Sequence, residues 1–361
     1  MGSTWLQASS GLRTTAWHGI DWVGCYRRVR SLQRRIVQAV QAGAWRKVKR
    51  LSYLLVHSFA ARALAVKRVI ENAGKKTPGV DGILWESPEQ KAAAVTRIGQ
   101  WREYQPQPLK RLYIPKPNGK RRPLSIPAME DRARQAVYLQ VLQPIAETTA
   151  DRNSYGFRPQ RRCAAAIDQC FKALRQKTSA TWILEGDIEG FFDHLAFAWL
   201  EEHIPMNKRI LAKWLRGGIL DHGLLYPTTA GVPQGGLISP VISNRVLDGL
   251  EQRGCGPSRS RRRHNLHYVR WADDVRHITW RQIPFTERRG SEDKTPGSTT
   301  YLEAKAKGDS SMSLKRRASE GVYDVALQDP RAMVRATLPK PQFPVMEAYS
   351  LCRQRLVAGS S

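Results

Sequence analysis

His267-Tyr268-Val269-Arg270-Trp271-Ala272-Asp273-Asp274-Val275 is the stretch on which the reading of the whole chain turns. An apolar run of strand character delivers two adjacent aspartates to a point where the chain should turn back into another apolar run. Earlier, Trp182-Ile183-Leu184-Glu185-Gly186-Asp187-Ile188-Glu189-Gly190-Phe191-Phe192-Asp193 does the same with one carboxylate at the end of its run. Brought together, Asp187, Asp273 and Asp274 would make an all-oxygen cage suited to Mg²⁺. Two such ions can activate a hydroxyl and stabilise the group that leaves when it attacks a phosphate. Any one of these aspartates alone reads better as a turn residue. The pair of stretches becomes persuasive only with what lies between and before it.

The bulk composition narrows the partners. With 361 residues, two or three domains and a packed core are expected. Lys and Arg number 59 against 31 Asp and Glu, a net charge of +28, which argues for a polyanionic partner. No apolar run reaches the roughly 18 to 20 residues of a spanning helix. The first 24 residues lack a basic flank followed by an apolar core, so no secretory signal is expected. Five cysteines, at 25, 163, 170, 255 and 352, include no C-x-x-C pair. They read as thiols in a reducing cytosol, not as disulfides or a zinc site. Nucleic acid is the expected partner, with no membrane.

Along the chain, residues 1–25 read as a loose lead-in and 26–72 as a basic helical segment. There Leu32, Ile36, Val40, Trp45, Val48, Leu51, Leu54 and Leu55 recur at roughly helical spacing, with Arg34, Arg35, Arg46, Lys47, Lys49 and Arg50 opposite. Gly43 should separate two helices. The basic face reads either as an RNA-backbone contact or as a solvated helix surface. Residues 74–82 form a Gly/Pro-punctuated loop, and a helix should start at Ser87 with Pro88 in its first turn. Asn118-Gly119 between two short apolar runs predicts a hairpin presenting Lys116, Lys120, Arg121 and Arg122. Such a cluster suits a triphosphate or a generic nucleic-acid contact. Helices are expected over 129–149, 163–177 and 239–252.

The order of motifs is specific. Thr77-Pro78-Gly79-Val80-Asp81-Gly82, Ile114-Pro115-Lys116-Pro117-Asn118-Gly119-Lys120 with Arg122-Pro123-Leu124, and Ser154-Tyr155-Gly156-Phe157-Arg158-Pro159 precede the first acidic strand. Gly231-Val232-Pro233-Gln234-Gly235-Gly236-Leu237-Ile238-Ser239-Pro240 and Ala272-Asp273-Asp274 follow it. The chain resembles the reverse-transcriptase part of bacterial group II intron-encoded proteins, the maturase/reverse-transcriptase family, over roughly residues 30–280.

That resemblance implies an α+β right-hand polymerase, with fingers over 73–178 and a palm over 179–280 whose antiparallel sheet is backed by helices. It implies RNA-directed DNA polymerisation with two Mg²⁺ ions, an intron RNA template, a DNA primer and deoxynucleoside triphosphates, tied to intron splicing and mobility. Asp187, Asp273 and Asp274 match the family's catalytic acids, with Asp187, Ile188, Asp273 and Asp274 as metal ligands. Lys116 and Arg122 match the fingers residues that hold the triphosphate, and Gln234 matches the glutamine lining the nucleotide pocket. Phe192 falls where an aromatic excludes a 2′-hydroxyl, or is an ordinary core phenylalanine. Whether two copies pair stays open.

The sequence also departs from the family. Trp271 stands where the family has Tyr, and Arg276 and His277 interrupt a strand that is usually apolar. Residues 281–361 read as a divergent, partly disordered tail, with 290–317 of low hydrophobicity, and as a truncated or frame-shifted end without the thumb/maturase domain. Residues 321–326 suggest a short strand or helix and 345–357 a last helix. The alternatives are therefore an RNA-binding maturase-like remnant without polymerase turnover and an inactive truncated fragment.

Overall fold

The computed structural model describes residues 17–115, 119, 121–174, 182–186, 188, 190–255 and 267–279; for 182–186, 253–255 and 274–279, and for three strands beyond 300, it describes the backbone. The chain divides into two compact units, one holding Met1–Thr148 with Glu201–Ile242, the other Thr149–Leu200 with Ser243–Ser361. Residues 149–178 group with the acidic strands, and 201–242 group with the hairpin around Gly119.

The first unit opens with three helices, not the expected pair: α1 (Trp22–Gln41), α2 (Trp45–His57) and α3 (Phe59–Glu71). Helix α1 starts ahead of residue 26 because the Asp21 side chain accepts the Gly24 N–H at 2.9 Å. Ser58, in extended backbone, splits the second half by accepting the Ala61 N–H at 3.1 Å. Cys25, Val29, Ile36, Ala39 and Val40 of α1 are buried, as are Val48, Leu51, Leu55 and Val56 of α2. Trp45 and Leu54, expected on the apolar stripe, are exposed instead. Helix α4 (Pro88–Arg97) carries the full capping box of Ser87 and Gln90.

Strands β1 (Leu109–Pro115) and β2 (Arg121–Ile126) form the predicted hairpin, in the register Lys110↔Ile126 to Pro115↔Arg121. Helix α5 (Met129–Thr149) is buried almost all round, and its charged side chains are put to use. Arg132 donates to the carbonyls of Pro127, Gly74 and Thr77, fixing the 3-10 turn Ala73–Lys76 and the residue after it. Arg134 donates to the carbonyls of Arg97, Ile98 and Gln100, at and just past the C-terminal end of α4. Tyr104 donates to Asp131 at 2.5 Å and accepts from Trp214 Nε1 at 2.7 Å, so this buried cluster is internally satisfied.

In the second unit, α6 (Cys163–Leu174) precedes β3 (Trp182–Gly186), and α7 (Phe197–His203) leads back to the first. There α8 (Lys208–Leu215) is followed by β4 (Ile219–Asp221) and β5 (Leu224–Tyr226), which complete a four-stranded sheet in the order β2-β1-β4-β5. The expected helix over 239–252 is two helices, α9 (Ser239–Leu247) and α10 (Leu250–Cys255). The Asp151 carboxylate separates them by accepting the N–H groups of Gly249 and Glu251 at 3.0 and 3.2 Å, which caps α10 from outside.

Strands β6 (His267–Trp271) and β7 (Asp274–Thr279) pair antiparallel, and β7 also pairs antiparallel with β3, giving the order β3-β7-β6. Arg276 and His277 thus stand within the central strand of the sheet, paired on both sides. Within and beyond the segment expected to lack structure, β8 (Tyr301–Ala304), β9 (Met312–Lys315) and β10 (Val334–Ala336) form a sheet in the order β10-β8-β9. The expected helix end at 175–177 and the elements expected over 321–326 and 345–357 lie outside the described residues. Among the described residues no helix is long and apolar enough to cross a membrane.

Candidate active site

The acidic turn is built by the β6–β7 hairpin. Trp271 and Asp274 are Cα partners, so Ala272 and Asp273 alone connect the strands. Ala272 takes φ 57°, a left-handed conformation that costs a residue with a Cβ about 1–2 kcal/mol. Asp273 follows it, half-buried at the tip, and Asp274 opens β7. Gly186, the last residue of β3, pairs with Val275, so β3 ends beside the residue that follows Asp274. Asp187 itself lies outside the described residues.

The turn rests on a polar bed. Arg270 is 0% exposed, and its Nη1 donates to the Ala272 carbonyl at 3.0 Å and to Asn244 Oδ1 at 2.9 Å. Its Nη2 meets Asp248 Oδ1 at 3.3 Å. Burial lifts the Asp248 carboxyl to about 6, against the pull of Arg270 and Arg245. The Arg270 backbone is held too: its N–H donates to Asn153 at 2.9 Å and its carbonyl accepts from Tyr155 at 2.8 Å. Asn244 Nδ2 donates to the Gly156 carbonyl at 2.9 Å. A Cβ on Gly156 would lie 2.3 Å from the Ala272 nitrogen, so only glycine permits this backbone approach.

Phe192 lies in a short 3-10 turn, Phe191–Asp193. Its ring stands edge-on to Phe157 at 6.3 Å and to the buried Phe191 at 5.6 Å. Phe157 is 51% exposed and has φ 60°, a conformation that bulky residues rarely hold away from functional sites.

In the first unit, two residues expected to meet the nucleotide touch each other. Arg122 Nε donates to Gln234 Oε1 at 3.1 Å. The Ser125 N–H donates to the Gln234 carbonyl at 2.7 Å, and Gln135 of α5 accepts the Leu237 N–H at 2.9 Å. The Pro-Gln-Gly-Gly turn is therefore strapped to β2 on one side and α5 on the other. Gly235, at φ 127°, makes that possible: a Cβ there would sit 2.6 Å from the Ser125 carbonyl oxygen. Lys116 lies outside the described residues.

For the expected metal set, Asp273 has a described side chain, Asp274 a described backbone, and Ile188 can offer only a carbonyl. That carbonyl already accepts the Phe191 N–H at 3.3 Å, which leaves a second lone pair. Among the described residues no three His, Cys, Asp or Glu side chains converge to hold a metal. The donors in question, carboxylates with a backbone carbonyl and no His or Cys, fit a hard divalent cation. Sequence reasoning overlooked Arg270, Gly156 and Asp248. The available signal was a charged residue inside an apolar strand run, between Val269 and Trp271.

Two family models match the chain: the N-terminal domain of reverse transcriptase over 17–98, and reverse transcriptase (RNA-dependent DNA polymerase) over 114–279. The chain is 36% identical over 202 residues to Protein YkfC of Escherichia coli K12, a match covering 53% of each. It is 32% identical over 197 residues to the group II intron-encoded protein LtrA of Lactococcus lactis subsp. cremoris, covering 52% of this chain and 32% of that one. The matched region thus spans about half the length of the first relative and about a third of the second. A chain of a partial Cas6-RT-Cas1--Cas2 complex aligns over 63% of this chain and 38% of its own, at 21% identity and a TM-score of 0.38.

Proposed function

Because the chain belongs to the reverse transcriptases of the group II intron-encoded kind, we propose that it is an RNA-directed DNA polymerase that extends a DNA primer on an intron RNA template. The observation that carries this is the two-residue Ala272-Asp273 turn, set in a sheet whose outer strand β3 leads directly into Asp187. Asp187, Asp273 and Asp274, with the Ile188 carbonyl, would hold two Mg²⁺ ions. When bound, these supply a lowered hydroxyl pKa at the primer end and charge stabilisation for the departing pyrophosphate.

The chain's own residues do the rest. Lys116 and Arg122 grip the triphosphate, Arg122 with the bidentate geometry its guanidinium allows. Gln234 lines the nucleotide pocket from a turn that Ser125 and Gln135 hold fixed, so its side chain is preorganised. Phe192 meets the sugar and excludes a 2′-hydroxyl. The exposed arginines and lysines of α1 and α2, among them Arg34, Arg35, Arg46 and Lys47, lie along RNA phosphates. A role in intron splicing and mobility belongs to the same proposal, as does a cytosolic setting.

The test is Mg²⁺-dependent deoxynucleotide incorporation on an RNA template with an annealed DNA primer, beside an Asp273→Ala control. Incorporation by the unaltered chain that the control lacks is the expected result. Salt-sensitive RNA binding with no incorporation in either would instead establish the second reading, an RNA-binding maturase-like protein, which the basic faces of α1 and α2 favour.

A further inference from the structure

We propose that Arg270 is the positioning residue of the acidic turn: its buried guanidinium fixes the Ala272–Asp273 peptide and so sets how Asp273 is presented to a divalent cation. The inference rests on reading Asp273 as a cation ligand. It concerns a residue whose side chain meets neither substrate nor metal.

A strand side chain ordinarily stands perpendicular to its sheet. That of Arg270 turns forward instead and donates from Nη1 to the carbonyl two residues on, at 3.0 Å. The carbonyl of Ala272 and the N–H of Asp273 share one planar peptide unit. Holding that oxygen therefore fixes the plane from which the Asp273 Cα and side chain project. The left-handed Ala272 lies outside the conformations its residue type prefers, and such a residue persists only where its surroundings over-determine it. Here the surroundings are the Arg270 donor below and the Gly156 backbone alongside.

The guanidinium is itself held in one orientation. Asn244 accepts from the same Nη1 at 2.9 Å while donating to Gly156, and Asp248 meets Nη2 at 3.3 Å. The fork thus joins the turn to Asn244 of α9 and to Asp248 just past it, and Asn244 carries the link on to the loop at Gly156. A buried ion pair alone would need only Asp248. The bond to Ala272 is the part that a purely structural pair does not require. Lysine would keep the charge beside Asp248, but its compact ammonium lacks the planar fork that spans all three acceptors.

The experiment uses the full chain and Mn²⁺ as the probe. Electron paramagnetic resonance titrations would read Mn²⁺ affinity for the unaltered protein, Arg270→Lys and Asp273→Asn, with thermal melts and RNA affinity measured alongside. Expected for Arg270→Lys is a Mn²⁺ affinity at least tenfold weaker, RNA affinity within twofold of the unaltered chain, and a retained cooperative melt. The Mg²⁺ concentration for half-maximal incorporation should rise in step, with the rate partly restored at saturating metal. A second variant, Arg270→Met with Asp248→Leu, removes both buried charges together and keeps the test alive should the lysine variant fail to fold. Unchanged Mn²⁺ affinity in either folded variant overturns the proposal, as does an unaltered chain whose Mn²⁺ binding ignores Asp273→Asn. If the unaltered chain incorporates no nucleotide yet Arg270→Lys weakens its Asp273-dependent Mn²⁺ binding, the polymerase reading fails and the positioning role stands.

Discussion

Replacing Gly156 by alanine is the sharpest perturbation of the acidic turn that leaves every charge in place. Gly156 has no positive φ, so alanine is admissible there on backbone grounds and any effect must come from contact. The added Cβ would stand 2.3 Å from the Ala272 nitrogen and 3.0 Å from both the Ala272 Cα and the Trp271 carbonyl carbon. An ordinary contact begins near 3.4 Å, so two backbones must separate by roughly an ångström. Neither is a flexible side-chain end. Overpacking of this kind costs about 1–3 kcal/mol, and the upper end applies where backbone must move. If the turn yields, Asp273 shifts with it, and a displacement near 1 Å lowers a rate on the order of 10²-fold. Paired thermal melts and single-turnover incorporation read both effects. Gly19→Ala serves as the control, since a Cβ there meets nothing within 4 Å. A lowered melt with an unaltered rate would show that the loop at 154–156 gives way and does not brace the turn. No change in either would refute the close approach itself.

Three further outcomes follow from the same geometry. Phe192→Val should raise ribonucleotide incorporation relative to deoxynucleotide by about 10- to 200-fold, measured as the ratio of kcat/KM values; an unchanged ratio would return Phe192 to a core role. Arg122→Ala removes a charged grip and leaves Gln234 Oε1 without its 3.1 Å donor, so the KM for deoxynucleotide should rise about tenfold or more while RNA affinity holds. Burial lifts Asp131 to about 6, against hydrogen bonds from Tyr104 and the Gln107 N–H. That value lies above the roughly 3.9 of an unfolded aspartate, so the stability it contributes is complete below about pH 4 and lost as pH rises through about 6. Denaturant unfolding should show the unaltered chain losing about 3 kcal/mol relative to Asp131→Asn across that window, and parallel pH profiles would contradict it.

What the sequence disclosed was what local chemistry writes. Ser87-Pro88 announced α4, and Asn118-Gly119 announced the β1–β2 hairpin. A comparable signal went unread at His222-Gly223, the two residues that join β4 to β5. Other features depend on partners distant in the chain. The α9–α10 break is imposed by Asp151, 98 residues before Gly249. The burial of Arg270 depends on Asn244 of α9 and on Asp248 just past its end, whose spacing carries no local signature. Asp273 was legible as a candidate ligand because a carboxylate at a strand end is visible in one dimension. The arginine beneath it was passed over, since only the folded chain supplies its acceptors.

The strand order β3-β7-β6 also bears on how the protein comes into being. The central strand, β7, is the last of the three to leave the ribosome, so β3 waits for some ninety residues with an unpaired edge. Pairings of such long sequence separation close slowly, whereas α1 to α3 gather through contacts between neighbours. A chain halted before residue 274 would retain its helical beginning but have no strand to seat between β3 and β6. Premature release would therefore yield an aggregation-prone intermediate, and the nascent protein's demand for chaperones should peak between the synthesis of β3 and that of β7.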